Sequence, residues 1–381
     1  MGLLFLDSFD DRYFAAGSSY ASYHAKWDDI SEDAAGGYLL EQVTGRTGKA
    51  CKLGGNSYLN KTGLNIVFQA LTWGVALKVT SAPVSETSIV TVKITSGLDT
   101  YYITYKLLAS LYVKVYDTTG LELATSSSAL SLNTFYYIES SVDITSSTVT
   151  LYKDGSNWFS VPNVAPAALV EATIDAIKFS GGITIDDLYL TNNNSSRLGS
   201  IKIDAVVPNA NTSLTRANPW TANYTNVDEC YQANHDGTTT YDVSNTASPS
   251  SVSYNFTDAS SMNLYGIQSC CWVSSYKITG SPGNITFSAI TNVSGTDYEY
   301  ATTKILAPSS PAVWSLLRGV WENNPATSTS WTTSTYNSAE FGVKSSGHVS
   351  GQSSGYLTAI TLEMGYIATA PEAGSRVFII S

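Results

Sequence analysis

The sequence predicts an all-β protein built from two consecutive antiparallel β-sandwich domains of the jelly-roll-like kind. Apolar and polar residues alternate along many short stretches, which is the pattern of half-buried strands. Turn formers separate these stretches, as in the hairpin signal Lys153-Asp154-Gly155-Ser156. No stretch keeps the helical period beyond a turn or two, so the regular spacing of strands indicates sandwiches.

A change of pattern in the middle of the chain predicts the boundary between the two domains. A strand at 183–190 changes parity between Ile185 and Leu188, which indicates a β-bulge. A polar run at 192–196 contains no apolar residue, and a second alternating strand follows at 201–207. Each side of this joint is long enough to bury its own core and to fold separately. The predicted domains are residues 1–193 and 198–381.

The individual strands follow from the same alternation, taken in chain order. The stretch at 64–73 could pass for a helix, but Gly74 and the β-branched flanks favour strands. The first domain has predicted strands at 3–9, 67–79, 88–94, 101–105, 112–116, 121–123, 135–139, 149–152, 174–179 and 183–190. The second has predicted strands at 201–207, 251–256, 263–276, 284–290, 298–306, 313–321, 339–343 and 360–366.

The charge and cysteine content exclude several classes of function. Charged residues make up 13% of the chain, with 20 basic against 31 acidic, so the net charge is −11. Such a chain is unsuited to binding nucleic acid or an anionic membrane. The short apolar start of the chain does not resemble a signal peptide, so we expect synthesis in a reducing cytoplasm. Without a C-x-x-C pair, buried thiols are favoured over a disulfide framework or a zinc site for Cys51, Cys230, Cys270 and Cys271.

Several stretches carry a resemblance to a known group of proteins. They are IDDLYL at 185–190, the polar joint, IKIDAVVPN at 201–209, and residues 227–229, 235–241, 321–325 and 339–344. Together they resemble a two-domain structural protein of tailed bacteriophage particles, over most of the chain. The resemblance implies a concanavalin A/laminin G-like first domain, residence in the virion after synthesis in the host bacterial cytoplasm, and no catalytic residue.

Sandwiches of the concanavalin class that hydrolyse glycans carry closely spaced carboxylates on one strand. The nearest match here is Glu139 with Asp143, which lacks the third acid. Strand geometry would place these two roughly 13 Å apart, beyond the spacing of an acid–base pair. We therefore expect Glu139 to be an exposed strand residue and the chain not to be an enzyme.

Two sets of residues are candidate binding sites. Asp186 and Asp187 are candidate calcium ligands, because hard cations prefer carboxylate and carbonyl oxygens; paired acids at a strand end that simply face water are the alternative. No other cofactor is expected. Trp220, Trp272 and Trp314 are candidates for stacking on sugar rings, since a flat indole suits the apolar face of a pyranose; filling the core is the alternative for them.

These observations lead to a main functional hypothesis and two alternatives. The main one is a tail-associated structural component of a phage particle (fibre, tip or tail decoration) that contacts other virion proteins and a host-surface glycan. The alternatives are a head decoration or cement protein, and a lectin or glycan hydrolase. Because 101–105 and 251–256 carry no charge to protect an exposed strand edge, we also expect a homo-oligomer, by preference a trimer.

Overall fold

The structure is a computed structural model, and it confirms the predicted all-β fold class. No helix in the described part of the chain is long and apolar enough to cross a membrane. The structure describes residues 3–9, 26–31, 40–46, 48–55, 57–67, 70–162, 172–192, 197–212, 214, 220–228, 241–244, 249–259, 262–280, 283–310, 313–349 and 351–368.

The first sandwich consists of two antiparallel sheets. Sheet A has the strand order β14-β13-β12-β7-β16-β4-β3, and β1 pairs with β16. Sheet B has the order β11-β10-β9-β8-β15-β5-β2, and β6 pairs with β15. The strands are β1 Leu3–Asp7, β2 Asp29–Ser31, β3 Leu40–Thr44, β4 Lys49–Leu53, β5 Tyr58–Lys61, β6 Ile66–Val67, β7 Ala70–Val79, β8 Thr87–Ser96, β9 Asp99–Leu107, β10 Val113–Tyr116, β11 Glu122–Thr125, β12 Phe135–Asp143, β13 Thr148–Lys153, β14 Ser156–Pro162, β15 Thr173–Ser180 and β16 Ile183–Thr191.

The second sandwich is smaller and has the same two-layer design. Sheet C has the order β17-β28-β21-β24, with β19 also pairing with β28, and sheet D has the order β18-β20-β27-β22-β23. A separate short hairpin joins β25 and β26. Its elements are β17 Lys202–Val206, β18 Pro208–Asn211, a 3₁₀ turn Tyr224–Asn226, β19 Asp242–Ser244, β20 Ser250–Phe256, β21 Met262–Lys277, β22 Ile285–Val293, β23 Thr296–Leu306, β24 Val313–Trp321, β25 Asn323–Asn324, β26 Thr329–Ser330, α1 Thr333–Asn337, β27 Ala339–Ser346 and β28 Ser353–Ala368.

Aromatic rings fill both cores, in edge-on and tilted contacts that suit their quadrupoles. In the first sandwich, Trp73 meets Tyr105 at 5.5 Å and Phe179 at 5.8 Å between ring centroids, both nearly perpendicular. In the second, Phe341 lies 5.6 Å from Trp321 and 5.9 Å from Trp331. Each sandwich therefore has a core of its own.

The predicted β-bulge is confirmed at Asp186 and Asp187. The pairing of β16 with β7 shifts register between Asp186 and Tyr189, and Asp187 has a φ of +49°. This left-handed conformation is one that Asp tolerates better than most residues. The bulge turns both Tyr189 and the Asp187 carboxylate towards the outer face of sheet A, where the second sandwich begins.

Neither of the two uncharged strands expected at a sheet edge lies at one. β9, which contains 101–105, lies between β8 and β10, and β20, which contains 251–256, lies between β18 and β27. The backbone groups of both strands are therefore already paired within the chain. The argument for self-association through these strands is wrong, and the trimer stays a prediction without that support.

The two sandwiches meet along the outer faces of sheets A and C. Every strand of sheets A and B lies before residue 192, and every strand of sheets C and D lies after residue 201, so the predicted boundary falls between the two sets. Apolar side chains from both sides form one buried cluster between the sandwiches. These are Leu3, Leu6, Ala76, Tyr137, Tyr189, Leu198, Ile201 and Ile203, with Tyr265, Val320 and Ile367 packed against them.

A buried polar network crosses the same interface. The Gln268 side chain pairs with the backbone of Leu6 on β1, accepting from its N–H at 3.3 Å and donating to its carbonyl at 2.9 Å. Glu363 on β28 accepts from the backbone and hydroxyl of Ser8 and from Gln268. Lys26, which is fully buried, bridges Glu363 and Asp7. The relative orientation of the two sandwiches is thus stabilised by buried charges, each of which would be left uncompensated without its partner.

Candidate functional site

Four aromatic side chains form a row on the outer face of sheet C, at the end remote from the first sandwich. They are Tyr241, Tyr276, Trp314 and Tyr356, and we call them the aromatic row. Along β21 this row lies about 20 Å beyond Gln268, the residue that contacts the first sandwich. All four side chains are half-buried, so the rings are held by packing while part of each remains accessible to solvent.

The strand register explains how the rings come together. Ser274 on β21 lies directly opposite both Trp314 on β24 and Tyr356 on β28. With only a small side chain between them, the two large rings lie 6.4 Å apart between centroids and within 29° of parallel. Tyr276 stacks on Tyr356 at 5.6 Å and 28°, and Tyr241 meets it at 4.5 Å. Tyr356 is therefore the centre of the row.

The polar atoms of this site differ in their surroundings. Burial, followed by the effect of Tyr241 and Tyr276, raises the pKa of Tyr356 to about 12. Its hydroxyl therefore stays protonated at neutral pH. Ser274 is fully buried beneath the rings, and its hydroxyl has no hydrogen-bond partner in the described part of the chain. The row thus presents partly exposed aromatic rings above a buried hydroxyl that has no partner among the described residues.

The structure places the three candidate tryptophans in different environments. Trp314 belongs to the aromatic row. Trp272 lies on the same face, two residues along β21 from Ser274, where it packs with Cys270, Ala359 and Leu316 and is only 7% exposed, so it is a buried neighbour of the row. Trp220 is 4% exposed and lies in the core of the second sandwich, so its assignment to a sugar-stacking surface is wrong.

Sequence reasoning missed the three tyrosines of the aromatic row. Tyr356 lies next to the inward-facing Leu357, and Tyr276 shares parity with Trp272, so alternation alone places both on an outer face. Their proximity to Trp314 depends on the registers of β21 with β24 and β28. Those registers join residues that are far apart in sequence, and alternation does not determine them.

Asp186 and Asp187 bind an arginine in this structure. Asp187 accepts from the Arg46 side chain at 2.9 Å and from the backbone N–H of Ile203 at 2.7 Å, and Asp186 accepts from the backbone N–H of Arg46 at 2.7 Å. Burial raises the pKa of Asp187 to about 6, with Arg46 acting in the opposite direction. These carboxylates tie the start of the second sandwich to the first. Within the described residues, no group of three or more His, Cys, Asp or Glu could hold a metal ion.

The Glu139 side chain is fully buried, so the expectation that it is exposed is wrong. It accepts hydrogen bonds from the Tyr189 hydroxyl at 2.6 Å, the backbone N–H of Gly199 at 2.9 Å and Arg197 at 3.2 Å. Tyr189 can lie over sheet A because Gly74 has no side chain: a Cβ there would meet the tyrosine ring at 2.2 Å. Asp143 instead accepts from the backbone of Thr145 in a turn.

The cysteines behave largely as expected. Cys51, Cys270 and Cys271 are buried thiols, and Cys230 lies outside the described residues. Cys271 lies in the core of the second sandwich and Cys270 on the opposite face of the same strand, as alternation predicts for neighbours in a strand.

Comparisons with known proteins found distant and partial similarities to solved structures. No family model and no curated protein matches the chain. Among solved structures, Trypanosoma rangeli sialidase has 10% identity and a TM-score of 0.35, over 42% of this chain and 27% of its own. Caenorhabditis elegans galectin LEC-6 has 14% identity and a TM-score of 0.27, over 35% of this chain and 89% of its own. A heptameric SAP-like pentraxin from Limulus polyphemus has 11% identity and a TM-score of 0.29, over 36% and 71%.

These comparisons correct one expectation. The chain was expected not to be an enzyme, yet sialidases, which are enzymes, are among the solved structures that it resembles, so that expectation is withdrawn. The chain spans only 27% of the sialidase length. At these TM-scores the likeness brings neither an activity nor a site to this chain.

Proposed function

We propose that this chain is a carbohydrate-binding component of a tailed-phage particle, and that its aromatic row contacts a glycan of the host surface. The observation that carries the glycan-binding part is the row itself: the partly accessible rings of Tyr276 and Trp314 lie nearly parallel to that of Tyr356, and Tyr241 is tilted against it. Flat aromatic faces attract the C–H-rich faces of sugar rings, and the tyrosine hydroxyls can bond sugar hydroxyls. Held in place by packing, the rings lose little conformational entropy on binding.

Membership of a particle rests on the resemblance of the sequence, and the interface between the sandwiches is consistent with it. A buried interface with paired charges gives the chain one defined shape, which suits a part that must present a surface at a fixed orientation. Tail attachment is the first assignment, and head decoration is its alternative.

Isothermal titration against a panel of bacterial surface oligosaccharides tests the binding function. Trp314→Ala and Tyr356→Ala should each weaken binding about tenfold, since a well-placed aromatic contact contributes on the order of 1 kcal/mol beyond its buried area. Tyr102→Ala is the matched control, because Tyr102 is an exposed tyrosine of the first sandwich. Equal weakening by the control variant, or no effect of either row variant, would contradict the assignment of the row.

Imaging of the intact particle tests the location. Density for this chain on the tail, confirmed by labelling with a specific antibody, is the expected result. Density on the faces of the capsid would favour the head-decoration alternative, and absence from purified particles would overturn membership of the particle.

A further inference from the structure

Three basic side chains surround one phenyl ring where the two sandwiches meet. Lys61 Nζ and the Arg318 guanidinium carbon lie 5.5 Å from the centroid of the Phe5 ring, and Lys26 Nζ lies 5.7 Å from it. Phe5, Lys26 and Lys61 belong to the first sandwich, whereas Arg318 reaches across from β24 of the second. Three basic groups are therefore close together at the junction, in a chain whose net charge is −11.

The three cations differ in how well they are compensated. Lys26 is paired with Asp7 and Glu363, and Lys61 with Asp28 at 2.8 Å. Among the described residues, Arg318 has no carboxylate partner, and its Nη1 is buried without a hydrogen bond. Burial in the first place, and then Arg318, lower the pKa of Lys61 to about 8. The positive charge of Arg318 lowers the pKa of Lys61 because a nearby like charge disfavours the protonated form.

Arg318 lies on the same face of sheet C as the aromatic row. On β24, Trp314, Leu316 and Arg318 alternate with inward-facing residues, so about 13 Å separates the first from the third. Across the sheet, Arg318 lies opposite Cys270, and Cys270 lies opposite Thr361. The Thr361 hydroxyl is fully buried and, like Arg318 Nη1, has no partner in the described part of the chain. One sheet face thus carries flat rings at one end and unsatisfied donors further along.

We propose that the ligand of the aromatic row is a carboxylate-bearing glycan, and that Arg318 binds its carboxylate. The inference rests on the proposed function and deepens it. A guanidinium binds a carboxylate through two parallel hydrogen bonds, which specifies this group over a neutral hydroxyl. The Arg318 side chain is partly exposed, and no carboxylate of the described residues is paired with it. The stretch from Trp314 to Arg318 accommodates a short oligosaccharide with sugar rings on the row and an acidic group at the junction.

The test compares an acidic probe with its neutral counterpart. Tetragalacturonate and its carboxyl-reduced form share a backbone and differ in charge. By isothermal titration, the wild type should bind the acidic form about tenfold or more tightly, as one charge-assisted contact provides. Arg318→Met should reduce this preference to within about twofold while leaving affinity for the reduced form unchanged. Lys344→Met, which removes a cation from sheet D, should keep the preference.

The outcomes separate this inference from the proposed function. Binding of both forms with equal affinity by the wild type, or equal loss for both in Arg318→Met, would overturn the role of Arg318 and leave the row intact; ordered water would then be the partner of Nη1. Binding of neither form would overturn the proposed function and the inference with it. If Arg318→Met melts well below the wild type, Arg318→Lys replaces it in the test. Lysine keeps the positive charge but lacks the planar guanidinium, so this variant should lose only part of the preference for the acidic form.

Discussion

The two ends of the outer face of sheet C are built differently. At the end against the first sandwich, Gln268 and Glu363 are fully buried, and their side chains bond to Leu6, Ser8 and each other. At the other end, the buried Ser274 hydroxyl has no partner in the described residues and the rings above it are partly exposed. The hydrogen bonds of Gln268 and Glu363 serve stability, because these buried groups would cost free energy if they were left unpaired. At the aromatic end, the exposed parts of the rings are what remains available for contact with another molecule.

Separating the two sandwiches should have the largest effect on stability. Each half, residues 1–193 and 198–381, contains a core, so each should give a dispersed amide spectrum. Each would also expose its part of the apolar interface cluster and lose its charge partners, so we expect both to melt below the whole chain and to associate when mixed. Light scattering on the mixture measures this association. Halves that stay separate and melt like the whole chain would mean that the interface contributes little.

Lys26→Met should cost the most of any single substitution at the junction. It leaves the carboxylates of Asp7 and Glu363 buried without their cation, which typically costs about 3–5 kcal/mol of the free energy of unfolding. Urea denaturation monitored by tryptophan fluorescence gives the value. Lys52→Met is the control, since its partner Glu41 is exposed and a surface pair contributes roughly 0–1 kcal/mol. A similar loss in both variants would show that the junction network is no stronger than a surface pair.

The Asp187 bulge should make stability depend on pH in a defined direction. Burial raises its folded pKa to about 6 from an ordinary value of 3.8. Between these two values the unfolded chain releases the proton while the folded chain keeps it. The contribution of Asp187 to the free energy of unfolding therefore falls as pH rises through this window and is constant above it. Asp187→Asn should remove this slope when unfolding is measured from pH 4 to 7; an unchanged slope would contradict the assignment.

Substitutions in the aromatic row should have the smallest effect on the free energy of unfolding, in contrast to substitutions in the core of the second sandwich. Trp314→Ala removes a half-buried ring outside both main cores, so we expect a loss below about 1 kcal/mol. Phe341→Ala, at the centre of the second core, should cost about 3–5 kcal/mol. Thermal melting of both variants checks the contrast. A large loss for Trp314→Ala would make the row a structural element of the sandwich.

The sequence by itself determined the period of the strands, the bulge at Asp186-Asp187 and the place where one set of sheets ends and the next begins. These are local properties, since alternation and turn chemistry act between near neighbours. Only the tertiary structure decided that Glu139 is buried, that Asp187 binds Arg46, and that 101–105 lies inside a sheet. It also brought Tyr356 to Trp314 and left Arg318 without a carboxylate partner among the described residues. Each of these depends on which distant strands pair and in what register, and the energy that selects the pairing comes from burial summed over the whole fold.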